Sequence, residues 1–229
     1  MLGLGSTLTK VGKIGLPIVT DNLVLRHKYI GGEVHQVSTG AAFFDGTDDY
    51  IDVGDSDDIV TGTNVTMACW FRLLDGDDTY LMVNKRTSGS SNLAIRVNLT
   101  SGGVNDGHVS FVIWDGSSSH GDVSYDGNVD TSNEWHHVAV TTTSSAQKLY
   151  LDGVEVASGS NTFGNAASSD HMLLGNGPGS YFLKGYMCNA AVWNRTLTQA
   201  EIKSIMWKNY SQLTSAEAAS LASWWNLSE

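Results

Sequence analysis

The sequence predicts an all-β protein built as a sandwich of two antiparallel sheets. Three observations carry this. From Ala41 to about Asn194 the chain is a series of short β-rich runs, each closed by a turn rich in Gly, Asn, Asp or Ser. Gly occurs 25 times and Pro twice, the composition of a chain with many tight turns and few rigid linkers. Asp (18) far exceeds Glu (6), and Asp favours turns where Glu favours helices. With 229 residues and ordinary apolar content, one large β domain with a sizeable core is within reach.

The elements follow in order. Residues 1–40 read as an extended N-terminal arm, whose apolar residues are interrupted by Gly and Thr and which cannot bury a core alone. Residues 41–229 read as the sandwich. "FFDGTDDYIDVGDSDD" (Phe43 to Asp58) is its first hairpin, with Phe43, Phe44, Tyr50 and Ile51 flanking or entering the core. "VTMACWFRLL" (Val65 to Leu74) is a long strand, apolar on both parities at first, and so belongs in a sheet interior. "TYLMVNKR", "NLAIRVNL" and "GHVSFVIWD" come next, split by "TSGSSN" and "TSGGVNDG". "EWHHVAVTTT" precedes "QKLYLDGVEVAS", where Asp152-Gly153 between two apolar runs has the chemistry of a two-residue type I′ hairpin. "DHMLLGNG" and "LKGYMCNAAVW" complete the strands.

The texture then changes. Thr198 with Glu201 forms a capping box, and Ile202, Ile205 and Met206 give one apolar stripe of a short helix. Thr214, Glu217 and Leu221 repeat the signal more weakly, so one or two short helices are expected over about 198–222.

The formal charge is −11. An acidic chain is a poor partner for nucleic acid or an anionic membrane, and neither is expected. The charge is uneven. Residues 1–40 carry Lys10, Lys13, Arg26 and Lys28 against Asp21 and Glu33, while the remainder holds nine basic and 22 acidic residues. No apolar run approaches a membrane span. In "MLGLGSTLTKVGKIGLPIV" the lysines lie inside the apolar stretch, so no secretion signal is expected. Cys69 and Cys188 are neither a disulfide framework nor a zinc motif; they read as two buried thiols or as one long-range disulfide.

The motifs "AAFFDGTDDYIDVG", "VTMACWFR", "EWHHVAVT", "LYLDGVEVA", "LLGNG", "LKG", "AVWNRTLTQAEI" and "SWWNLSE" stand in an order that resembles a laminin-G-like, concanavalin A-like jelly roll of the pentraxin-related branch. The resemblance runs from about Ala41 to the C-terminus. It implies two packed antiparallel sheets with Greek-key connections. "GLGSTLTKVGKIGLPIVTDNLVLRHKY", "GGEVHQVSTGAAFFDG" and the closing "MWKNYSQLTSAEAASLASWWNLSE" resemble segments of virion structural proteins of tailed, notably marine, phages. That likeness implies a particle-associated role and an arm used in assembly.

Glucanases of the resembled fold carry an E-x-D-x-x-E type strand, which is absent here; so are G-x-S-x-G, P-loop and H-E-x-x-H motifs, and no enzyme is expected. His136 and His137 are neighbours on a strand, point to opposite faces and cannot chelate one ion together. The pentraxin-type calcium loop corresponds to "NGPGSYF", which has no carboxylate, and the acid of a following strand is replaced within Met187, Cys188, Asn189 and Ala190. Asp45 and Asp48 remain as ligands for a structural calcium ion; the competing reading is turn chemistry. Trp114 and Tyr125 border polar loops and are the candidates for stacking on a glycan. Trp224 and Trp225 form a sticky patch for a neighbouring subunit unless one packs on the body, and Lys10, Lys13, Arg26 and Lys28 mark the arm as the other subunit contact.

The functional expectation is a non-catalytic virion structural protein, in capsid decoration or the tail, anchored by its arm to other virion proteins or to copies of itself. The alternative is an extracellular carbohydrate-binding module that recognises host glycans.

Overall fold

The computed structural model describes residues 38, 40–55, 59–74, 79–84, 92–97, 108–114, 119–127, 133–161, 171–177 and 181–228. The arm, with Lys10, Lys13, Arg26 and Lys28, lies outside the described residues apart from Ser38 and Gly40. The strands are β1 (Ala42–Asp45), β2 (Ile51–Asp55), β3 (Val65–Leu73), β4 (Thr79–Asn84), β5 (Asn92–Val97), β6 (Val109–Trp114) and β7 (Ser119–Tyr125). They continue with β8 (His136–Thr142), β9 (Ala146–Leu151), β10 (Val154–Ser160), β11 (His171–Leu174), β12 (Lys184–Trp193) and β13 (Leu221–Trp225). One α-helix, α1 (Gln199–Ile205), and a 3-10 turn at Tyr210–Gln212 lie between β12 and β13.

The strands form two antiparallel sheets. The first has the order β1-β12-β3-β8-β9-β10, with β13 also pairing β12; the second has β2-β11-β4-β5-β6-β7. This is the expected sandwich, but the expected first hairpin does not form: β1 pairs β12 in one sheet and β2 pairs β11 in the other, so the turn after Asp45 crosses between sheets. β1 and β13 share one edge of β12: β1 pairs Lys184–Met187 and β13 pairs residues 190–193. Between the sheets lie Phe44, Val65, Met67, Phe71, Leu93, Ile95, Phe111, Ile113, Val138, Val140, Leu149 and Val192, all buried. Removing one such large side chain from water contributes about 1.5–3 kcal/mol.

β3 is buried along all nine residues, which explains its apolar character on both parities. Val65, Met67, Cys69, Phe71 and Leu73 join the inter-sheet core. Ala68 and Trp70 face outward into separate clusters made with α1 and the segment after it. That outer layer is pinned by hydrogen bonds. Trp70 Nε1 donates to the Met206 carbonyl (2.9 Å) and Trp193 Nε1 to the Glu217 carbonyl (2.8 Å). Thr66 Oγ1 donates to the Arg195 carbonyl (2.7 Å).

Thr198 and Glu201 close the predicted capping box, and Ile202 and Ile205 are buried. Thr214 and Glu217 make the same reciprocal bonds, yet no second α-helix follows. Ser220 turns left-handed (φ 58°) and the chain enters β13. A helix of one or two turns is poorly stable alone. A strand here adds a ladder to β12 and sends Trp225 to the core and Trp224 to the outer layer. Burial would raise the Glu217 carboxyl, but the Lys208 ammonium (2.6 Å), Ser204 and Thr214 hold it at about 2.

Asp152 and Gly153 have φ of 49° and 77°, and Val154 pairs Leu151, so the two-residue hairpin forms as predicted. The Asp152 carboxylate also accepts the His137 backbone N–H (3.0 Å) and lies 3.0 Å from His136 Nδ1. His137 packs edge-on against Trp70, centroids 5.3 Å apart, while His136 stays partly exposed on the opposite face. Cys69 and Cys188 are free, buried thiols. Burial pushes Cys188 up to about 12, against a hydrogen bond from Ser38.

Burial lowers His137 to about 4, although Asp152 works in the other direction. The folded state thus favours the neutral ring, whereas the unfolded chain titrates near 6.5. Stability from this residue is complete above pH 6.5 and declines as pH falls towards 4, by about 3 kcal/mol in all. Urea midpoints at pH 7 and pH 4.5 check this. His137→Leu is expected to flatten the difference between them, and an unchanged difference contradicts the assignment.

Candidate functional site

Sheet one has its outward face covered by α1 and the C-terminal segment. The outward face of sheet two is where polar and aromatic side chains gather. Strand alternation sorts them: β5 sends Leu93, Ile95 and Val97 to the core, so Ala94 and Arg96 point out. The register then aligns a row Tyr80, Arg96, Ser110 and Ser124, and beside it a row Val83, Ala94, Val112 and Asp122. Val83, Ala94 and Leu173 form a small buried apolar cluster on this side, with Tyr80 packed against it.

The polar part is held in place by its own bonds. Arg96 Nε donates to Ser110 Oγ (3.2 Å), and Arg96 Nη2 pairs with Asp122 Oδ2 (3.2 Å). Arg96 is mostly shielded and Asp122 is half exposed, with side-chain exposures of 18% and 51%. The Tyr80 ring lies over Gly177, where any Cβ would fall 2.1 Å from Tyr80 Cδ2. Tyr181 stands 5.9 Å from it, centroid to centroid, and is 37% exposed. A bulge between Tyr80 and Met82 brings Tyr80 into line with Arg96. Two aromatic rings beside an ion-paired donor and acceptor offer apolar faces for C–H groups and directed hydrogen bonds for hydroxyls. At the far edge, β2 brings Asp52 to 2.7 Å from His171 Nδ1.

Trp114 ends β6 in phase with Ser110 and Val112, on the same outward face and partly exposed. It lies four residues, about 13 Å, from Ser110 along the strand. Tyr125 is in phase with Val123 and packs on the inter-sheet core, at the other end of the β6–β7 pair. The two are therefore on opposite faces and do not make one stacking platform. Tyr80, Tyr181, Arg96 and Asp122 were not singled out by the sequence reading. The available signal was Arg96 itself, a lone charge inside "LAIRV", which marks the face turned away from the core.

Asp45 and Asp48 do come together, and Asp49 joins them: one ligand atom from each lies within 4.8 Å of the others, all exposed. The turn uses part of this set. Asp45 Oδ1 accepts the Thr47 N–H (2.7 Å) and Asp49 Oδ2 accepts the Asp45 N–H (3.0 Å). Three carboxylates suit a hard cation such as calcium. Trp224 packs edge-on against Trp193 (6.0 Å) and bonds Asn226 through Nε1 (2.8 Å), and Trp225 packs on the inter-sheet core, so both dock on their own domain.

The sequence profile of the concanavalin A-like lectin/glucanases superfamily matches residues 45–203. No curated protein matches. Among solved structures, a candidate carbohydrate binding protein from Bacteroides ovatus ATCC 8483 is similar at TM-score 0.61 and 19% identity, covering 81% of this chain and 50% of that one. Domain 4 of AbnA, a GH43 extracellular arabinanase from Geobacillus stearothermophilus, in complex with arabinotriose, is similar at TM-score 0.58 and 18% identity, covering 76% and 82%. The SAP-like pentraxin from Limulus polyphemus is similar at TM-score 0.54 and 13% identity, covering 73% and 84%. At these identities the likeness is one of fold.

For the acidic turn, the expected behaviour is weak calcium binding, with a dissociation constant on the order of 10⁻⁴ to 10⁻³ M. Calcium should raise the melting temperature, and Asp48→Asn should abolish the rise. A melting temperature indifferent to calcium assigns Asp45, Asp48 and Asp49 to turn formation alone.

Proposed function

The chain belongs to the concanavalin A-like lectin/glucanases superfamily, and from that premise we propose that it is a non-catalytic carbohydrate-binding module working at a virion surface or in the extracellular space. The observation that carries this is the outward face of sheet two, where the Tyr80–Tyr181 pair adjoins the bonded Arg96, Ser110 and Asp122. The rings take the C–H face of a sugar, Asp122 accepts from its hydroxyls and Arg96 donates to its oxygens. The carbohydrate-related roles of the Bacteroides and Geobacillus structures support the choice of ligand class.

The non-catalytic reading is supported by the sequence, which lacks the E-x-D-x-x-E strand expected of a glucanase. Among the described glutamates, Glu155 pairs with Lys148, Glu201 with Arg195 and Glu217 with Lys208.

A second reading, a virion structural protein, rests on the phage-like segments at the two ends of the sequence. Proteomics of purified particles tests it: the chain is expected in fixed copy number, and its absence from particles removes that reading.

For the main proposal, a glycan array on the full chain is expected to return specific binding. Tyr181→Ala and Arg96→Gln should each weaken the best ligand tenfold or more. Because Asp122 is half exposed, Arg96→Gln should cost only about 1 kcal/mol of stability or less. Absence of binding at millimolar glycan, or binding untouched by both substitutions, refutes the proposal.

A further inference from the structure

The outer edge of β13 has the features of a strand acceptor. β13 pairs β12 on one side, and among the described residues no strand pairs its other side. The Asn189 N–H donates to the Asn226 carbonyl (3.1 Å), which fixes the phase of the ladder. Trp224 then exchanges bonds with Ala191, and Ser223 and Trp225 turn their N–H and C=O groups away from β12. A groove of about 310 Å³ runs here, lined by Leu221, Ala222, Ser223 and Trp224, with Tyr210 and Asn226 beside them. Successive strand residues point to opposite faces, so a groove touching four in a row follows the edge itself. Tyr210 is 59% exposed beside it.

The position of Ser38 points to an occupant for the edge. Ser38 is buried and hydrogen-bonds Cys188, one residue from the Asn189 bond that closes the end of β13. Thirty-seven residues precede that point. Within them, 22–30 ("NLVLRHKYI") is a run free of Gly and Pro, rich in β-formers, and followed by Gly31-Gly32. It carries Arg26 and Lys28, opposite in sign to the acidic remainder of the chain. The eight residues from there to Ser38 reach up to about 28 Å, more than the length of β13. A tether this short gives the segment a high effective concentration at the edge of its own domain.

We propose that residues 22–30 add to the edge of β13 that no described strand pairs, in the same chain, as an extra strand parallel to it, so that the segment ends beside Asn226 and leads into Ser38. Residues 1–21 are then the part left to contact other molecules.

Amide hydrogen exchange on the full chain tests this, with Trp224, which bonds β12, as internal reference. Ser223 and Trp225 are expected to exchange at least about 100-fold more slowly than free amides. Leu25→Pro should release both while Trp224 stays protected, and Leu8→Pro should release neither. Fast exchange of Ser223 and Trp225 in the unmodified chain overturns the proposal, as does protection indifferent to Leu25→Pro. Protection that grows with protein concentration assigns the edge to a neighbouring copy and also overturns it. So does loss at Trp224 alongside the other two, which would make the segment a folding requirement instead of an edge cover.

Discussion

The two-sided burial of the β3–β12 pair is the constraint on which the rest depends. One face of this pair meets sheet two; the other needs a cover of its own. Trp70 and Trp193 occupy that outer face, and each has an indole N–H that must find an acceptor away from water. The Met206 and Glu217 carbonyls supply them. The C-terminal segment is therefore part of the fold, with α1 packing Ile202 and Ile205 on the sheet and β13 completing the edge. Leaving either indole unsatisfied in this layer would cost about 1–3 kcal/mol.

The C-terminal layer covers the outward face of sheet one; on the outward side of sheet two Asp122 and Tyr181 are exposed beside the buried Val83, Ala94, Ser110 and Leu173. Sheet two carries its polar residues there because its strands alternate: what is excluded from the core on β5, β6 and β7 is Arg96, Ser110 and Asp122. A rigid sheet holds them in register, and their mutual bonds fix the geometry before any ligand arrives. This preorganisation lowers the entropy lost on binding. The acidic turn of Asp45, Asp48 and Asp49 lies on β1 and its following loop, whereas the face proposed to bind ligand is on sheet two.

Local chemistry was readable from the sequence. Asp152-Gly153, Thr198 with Glu201, and the two-parity run from Val65 each carry a signal within a few residues, and each forms as read. Lys184-Gly185 was readable as a motif, but its cause lies elsewhere: a Cβ at Gly185 would fall 2.1 Å from the Arg72 carbonyl oxygen on β3. Features made by register were hidden. Tyr80 and Arg96 are 16 residues apart in the sequence and meet only because β4 and β5 pair with a bulge. The second capping box was present in both sequence and structure, yet strand pairing with β12 overrode the helix it announced. Trp224 and Trp225 read as a subunit patch unless one packs on the body; both pack there, because the alternation that adjacency in sequence conceals sends them to opposite faces.

The central claim is that ligand recognition lies on the outward face of sheet two. The most direct measurement is a ¹H–¹⁵N spectrum of the full chain titrated with a panel of neutral oligosaccharides, arabinotriose among them. The account predicts that shifts caused by a binding sugar concentrate at Tyr80, Arg96, Ser110, Asp122 and Tyr181. Shifts confined to the acidic turn or to the β13 edge, with this face unmoved, would contradict it.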